Sequence, residues 1–194
     1  MLIPLLLFCI STCITPGPNN FMIMASGTNF GIRRSLPHFM GICIGFPAML
    51  LIVGLGLASV FSAYPMLYNV IKIAGALYMT YMAYKIITAT SNVSTNDHAT
   101  PISFMQAVLF QWVNPKAWVM AIAAVSTYTI QNNDMLSQIL LISFVFFITL
   151  FPTIGIWLFG GTFIRKIINS PRQLKIFNLC LGAALILSIV FIFI

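Results

Sequence analysis

The chain has 194 residues, 60% of them apolar and 6% charged, with a net charge of +7. Soluble domains run near ~45–50% apolar and ~25% charged, so this composition cannot supply a water-facing shell. Lipid removes the need for one, and at roughly 20 apolar residues per span the length allows about six spans.

Six apolar segments are predicted as helices, at roughly 2–25, 37–63, 66–88, 103–130, 137–163 and 174–194. The first has no positive n-region and runs into Pro16-Gly17-Pro18 rather than a small-residue cleavage site. It is therefore expected to be a retained helix and not a signal peptide. It is interrupted at Thr15-Pro16-Gly17-Pro18-Asn19-Asn20. A polar stretch, Thr28 to Ser35, follows with Arg33 and Arg34. The second segment carries Gly41-x-x-x-Gly45, a close-packing signature through which two copies could also meet as a homo-oligomer. Ser62 to Pro65 separates it from the third, where Lys72 lies near a helix end and is placed to snorkel. Lys85 precedes the longest polar stretch, Thr88 to Pro101. The fourth segment is interrupted at Gln111-Trp112-Val113-Asn114-Pro115-Lys116. Gln131 to Asp134 and Arg165 to Lys175 set off the fifth and sixth.

Of the nine Lys and Arg, all but Lys72 and Lys116 fall in the first and fifth polar stretches or, as Lys85, at the opening of the third. The second and fourth hold none. The positive-inside rule then puts the odd-numbered loops in the cytoplasm and both termini outside. This distribution also accounts for the net charge, and with no soluble basic face the chain is not expected to bind nucleic acid.

A proline inside a helix removes an amide donor and clashes with the preceding turn, costing about 3 kcal/mol or more. In lipid the freed carbonyls also need partners. The two breaks sit about midway through segments one and four. Ala74-Gly75-Ala76-Leu77 in segment three is echoed by Leu181-Gly182-Ala183-Ala184 in segment six. The expected fold is all-α and polytopic, a single membrane domain over 1–194 with six transmembrane helices. They form two three-helix repeats, about 1–88 and 102–194, joined by a cytoplasmic loop at about 89–101. Three being odd, the second repeat must be inverted. Paired interrupted helices in inverted halves point to a binding site near the midplane.

The motifs Thr15-Pro16-Gly17-Pro18-Asn19 and Asn114-Pro115-Lys116 resemble those of the LysE/RhtB family of amino-acid exporters. The similarity extends to Gly31-Ile32-Arg33-Arg34-Ser35, to Ala74-Gly75-Ala76-Leu77-Tyr78 and to Pro101-Ile102-Ser103-Phe104. Within the family, Lys85-Ile86 and the last of these stretches look most like the cysteine/O-acetylserine exporters. The resemblance implies a multi-pass protein of the bacterial inner membrane. It also implies proton-driven efflux of a small amino acid or derivative, such as cysteine, O-acetylserine, homoserine or threonine.

The candidate substrate site is Thr15, Pro16, Gly17, Pro18, Asn19, Asn20, Gln111, Asn114, Pro115 and Lys116. Lys116 lies about a dozen residues from either segment end, where a lysine costs ~2.5–3.5 kcal/mol to insert. The chain's two acids, Asp97 and Asp134, are in polar stretches, so no carboxylate inside the membrane pairs with it. A substrate carboxylate could. Asn19, Asn20, Gln111 and Asn114 can cap the broken ends or hold the substrate ammonium. Thr15 is placed to cap the half-helix that follows, whose N-terminus favours an anion. Both histidines, His38 and His98, are expected at or in loops, leaving no evident proton carrier.

No enzyme is expected: there is no H-E-x-x-H and no glutamate. No cofactor or metal is expected either, since Cys9, Cys13, Cys43 and Cys180 lack metal-site spacing and read as buried small hydrophobes. Two other classes are weighed. A transmembrane thiol-redox carrier needs a reactive cysteine in the first helix of each half; Cys13 meets this and segment four, with no cysteine, does not. A non-transporting assembly subunit has no use for paired breaks and a buried lysine.

Overall fold

The computed structural model describes residues 2–57, 65–89, 100–130 and 134–193. Every regular element among them is helical: α1 (Leu2–Ile14), α2 (Pro18–Ile52, continued by a π-helical turn Val53–Leu57), α3 (Pro65–Ile87), α4 (Phe104–Val113), α5 (Pro115–Tyr128), α6 (Met135–Ile167) and α7 (Pro171–Phe193). Four helical stretches are long and apolar enough to cross a membrane: 18–56, 70–87, 135–167 and 171–190. The pair α4 and α5, bent by 68° at Asn114, makes a fifth when taken together. At 13 residues, α1 alone is too short.

The outer surface fits a lipid solvent. Ile3, Leu77, Val119 and Phe163 are each more than 60% exposed, on four different helices. Water would penalise such a coat. The interior is organised by aromatic contacts: Phe146 of α6 packs edge-on against Phe46 of α2 at 5.0 Å and Phe8 of α1 at 6.3 Å.

Two expected loops are corrected. The polar stretch Thr28 to Ser35 is helical apart from a kink at Gly31, where φ is 74° and ψ 176°. A side chain disfavours that φ and glycine does not. The stretch Arg165 to Lys175 is also mostly helix: α6 ends at Ile167 and α7 starts at Pro171. Both corrections share a cause. The Arg165 guanidinium donates to Thr28 O at 2.9 Å and Asn29 O at 2.7 Å, carbonyls that lose helical partners at the Gly31 kink. The cation thus stays on its helix and completes another. Asn29 and Asn178 of α7 exchange amide hydrogen bonds at 2.9 and 3.0 Å beside it. The segments 58–64, 90–99 and 131–133, with most of the second, third and fourth expected loops, lie outside the described residues.

Small residues set the helix spacings. Gly41 and Gly45 face α4, where a Cβ would meet Phe104 O at 2.5 Å and Val108 Cα at 2.9 Å. The G-x-x-x-G face is thus spent on packing within the chain. Gly75 and Gly182, which echo each other in sequence, meet different neighbours: Val113 of α4 for the first, Ile87 of α3 for the second. On α6, a Cβ at Gly161 would collide with the Met24 carbonyl of α2, whereas at Gly160 it would touch only the Met24 Cε at 3.5 Å. Backbone cannot yield as a methionine tip can. We expect Gly161→Ala to destabilise the purified protein by about 1–3 kcal/mol or more. Gly160→Ala should be neutral or gain up to ~1 kcal/mol from helix propensity. Thermal unfolding in detergent separates the adjacent variants, and equal midpoints would refute the close α2–α6 approach.

Candidate functional site

Both proline breaks form where expected, and they touch. α1 ends at Ile14, α2 starts at Pro18, and Pro18 and Pro115 each occupy the first turn of their helix, where a missing amide costs little. At the second break Asn114 closes α4 and opens α5. Its side-chain oxygen accepts from the Lys116 amide at 3.1 Å. Trp118 Nε1 reaches back to Trp112 O at 2.8 Å across the same break.

The first break leaves carbonyls without intrahelical donors, and side chains supply them. Asn20 donates to Cys13 O at 3.0 Å and Thr15 O at 2.8 Å. Trp157 Nε1 of α6 donates to Ile14 O at 3.1 Å. Lys116 crosses from the other break: its Nζ donates to Thr15 O at 2.6 Å, Thr15 Oγ1 at 2.8 Å and Pro16 O at 3.3 Å. The lysine stem lies over Gly17, where a Cβ would stand 2.8 Å from Lys116 Cδ. Gly17 has extended φ and ψ, so its role is to leave room. Asn19 and Gln111 join the breaks a second time, exchanging side-chain amides at 2.8 and 3.2 Å.

The structure therefore brings Thr15, Pro16, Gly17, Asn19, Asn20, Gln111, Asn114 and Lys116 into one cluster. Pro18 and Pro115 frame it. Thr15 does not cap the following half-helix. Its hydroxyl donates backward to Thr12 O at 2.8 Å and receives Lys116, and α2 begins without a side-chain cap. Lys116 lies mid-segment in sequence yet occupies a helix end in space, the end created by the break.

Two spaces adjoin the cluster. A cavity of about 30 Å³ lies between the breaks, lined by Cys13, Gly17, Asn19, Asn20, Asn114 and Lys116 among others. It has room for a water and none for an amino acid. A cleft of about 520 Å³, within the range of small-ligand pockets, is lined by Pro16, Phe21, Pro115, Lys116, Leu187 and Ser188 among others. Lys116 belongs to both walls.

Several functional candidates escaped the sequence reading. Trp118 and Trp157 both satisfy break carbonyls; the signal was available, because an indole N–H inside a membrane needs an acceptor. Ser188 of α7 reaches the cleft wall from the far end of the sequence, and no local pattern marks it. His38 is corrected outright. It is fully buried, with Nδ1 at 2.8 Å from Ser26 Oγ, because the expected loop shrinks to the Gly31 kink. Its Nε2 and the Ser35 hydroxyl have no partner among the described residues. His98 lies outside them. Cys9, Cys13 and Cys43 are buried as expected, but Cys180 is exposed on α7. Among the described residues no three His, Cys, Asp or Glu gather to hold a metal.

The chain is similar to proteins named cysteine/O-acetylserine efflux protein. Those of Escherichia coli strain K12 and of Shigella flexneri are each 30% identical over 173 residues, covering 87% of this chain and 87% of theirs. No solved structure matches. The family model for LysE type translocators matches residues 10–193. That span contains both breaks, Lys116 and all the partners of its ammonium, and the chain belongs to the LysE family of translocators.

Proposed function

We propose that this chain is a secondary exporter that moves a small amino acid or derivative across the inner membrane, with its site at the two joined breaks. The carrying observation is the ammonium of Lys116, held at the cleft wall among apolar helices by the carbonyls of the opposite break at 2.6–3.3 Å. Among the described residues no carboxylate partners this cation, which suits a substrate that brings one. The names of the relatives favour cysteine or O-acetylserine; homoserine-like and threonine-like compounds are the alternatives that the family resemblance adds.

The proposed architecture is six spans in two inverted halves. The Gly31 kink divides the stretch 18–56, so α1 with residues 18–30 forms span one, broken at Pro16, and residues 32–57 form span two. α3 is span three, the bent α4–α5 pair span four, α6 span five and α7 span six. The packing supports this symmetry. Span one lies on span five as span four lies on span two, and spans three and six pack on each other. The long second helix of each half carries Phe-Pro, at Phe46-Pro47 and at Phe151-Pro152.

Export is tested by loading cells with labelled amino acids and following their loss with and without this chain. Faster loss of cysteine or O-acetylserine is expected, and no accelerated loss of any amino acid would refute the reading. Topology has its own test. A reporter fused after Ile194 should be active only outside, since the cations of the odd loops hold those loops in the cytoplasm. Cytoplasmic activity would overturn both orientation and span count.

A further inference from the structure

The partners of Lys116 form a seat that is specific for a chemical group. Its ammonium has three N–H donors, and three acceptors receive it: Thr15 O, Thr15 Oγ1 and Pro16 O. None of the three is charged. They exist as a set because α1 stops at Ile14, so that the carbonyls of Thr15 and Pro16 that follow it meet no helical amide. A primary ammonium of any origin fits the same place. The α-ammonium of an amino acid is one.

We propose that this carbonyl cage is the substrate's ammonium seat, and that Lys116 is a tethered occupant which the substrate displaces. The proposal rests on the reading that the chain exports amino acids, and assigns the two ends of the substrate. The ammonium enters the cage. Lys116, once displaced, turns to the carboxylate. The spaces on either side of Lys116 support this. The 30 Å³ cavity is too small for an amino acid, and Lys116 is a shared wall between it and the 520 Å³ cleft. Withdrawing the lysine enlarges the small space from the side where the large one lies. The stem crosses Gly17, the residue that leaves it a path.

The exchange also explains why both substrate groups are needed. Emptying the cage takes a donor from each of three acceptors, leaving Thr15 O with Asn20 alone and the Thr15 hydroxyl with Thr12 O alone, and moving Lys116 away without an anion leaves a bare charge among apolar walls. A simple amine solves only the first problem and a simple carboxylate only the second. A zwitterionic amino acid solves both at once. The empty carrier is held together by its own lysine until such a substrate arrives.

The test removes the tethered occupant and supplies it in solution. Lys116→Ala keeps Cβ, so propylammonium reproduces the missing atoms. Calorimetry on the full chain in nanodiscs compares this variant with wild type. Propylammonium should bind Lys116→Ala at least tenfold more tightly. Propyltrimethylammonium, which has no N–H to donate, should not compete. Adding Thr15→Val to the variant should weaken propylammonium binding about fivefold or more. If Lys116→Ala does not fold, Lys116→Met with the ammonium ion makes the same comparison with the stem volume kept. Equal affinity in wild type and variant overturns the displacement, as does equal binding of the trimethylated probe. Absence of amino-acid export by wild type overturns the reading beneath it. Export by a wild type whose Lys116 variants gain no ammonium affinity overturns the displacement alone.

Discussion

Lys116→Met should raise the half-saturation for export roughly thirtyfold or more while leaving the protein in the membrane at wild-type levels or above. Methionine keeps most of the stem volume beside Gly17 and removes the charge. Truncating one member of a buried charge pair costs about 2–5 kcal/mol, and at 1.4 kcal/mol per decade the lower bound already gives that factor. Part of the loss is offset, because the substrate ammonium no longer competes with Lys116 for Thr15 O, Thr15 Oγ1 and Pro16 O, so the effect should sit near the lower bound. An amino-acid amide should compete poorly with wild type and lose that disadvantage in the variant. Lys116→Arg should retain some transport, since the charge survives and the geometry of a planar guanidinium does not fit a cage of three acceptors around one nitrogen. Membrane levels must be matched first, because the methionine variant inserts more easily. Wild-type rate and half-saturation in that variant would remove Lys116 from the substrate site.

The sequence made the breaks legible and hid what they hold. Pro16, Pro18 and Pro115 carry their meaning locally, through a missing donor and a fixed φ, so reading them needs no neighbour. Lys116 was legible as an expense: a charge far from any segment end must have a reason. Its partners were not legible, because Thr15 and Pro16 lie about a hundred positions away and contribute mainly carbonyls, which every residue has. The same holds for Trp157 on Ile14 O. A backbone acceptor leaves no trace in residue type.

The misplaced loops have a related cause. Polar residues at Thr28 to Ser35 and Arg165 to Lys175 read as solvent-facing when each stretch is taken alone. In the fold they answer each other, Arg165 completing the carbonyls that the Gly31 kink exposes. His38 was drawn inside by the same event. A residue expected at a loop margin became a fully buried ring against Ser26. Pairwise compensation across elements is invisible to any window that slides along one of them.

The double variant Pro16→Ala, Pro18→Ala should insert normally and export nothing. Alanine restores two amide donors and relieves about 3 kcal/mol of helix penalty at each site, so a continuous helix from α1 into α2 becomes the preferred state. In that helix the amides of residues 19 and 20 take the carbonyls of residues 15 and 16. These are the acceptors that now hold Lys116 at 2.6 and 3.3 Å. The cage closes chemically even where space remains. Lys116 loses its seat, Asn20 loses the Thr15 carbonyl it caps at 2.8 Å, and Asn19 turns with the helix away from Gln111. Stability and function should therefore move in opposite directions: a thermal midpoint at or above wild type, with export at the level of cells lacking the chain. Loaded-cell efflux and detergent melting on the same preparations decide it. Full export by the double variant would mean that the break is a tolerated defect, and that the carbonyls it exposes take no part in transport.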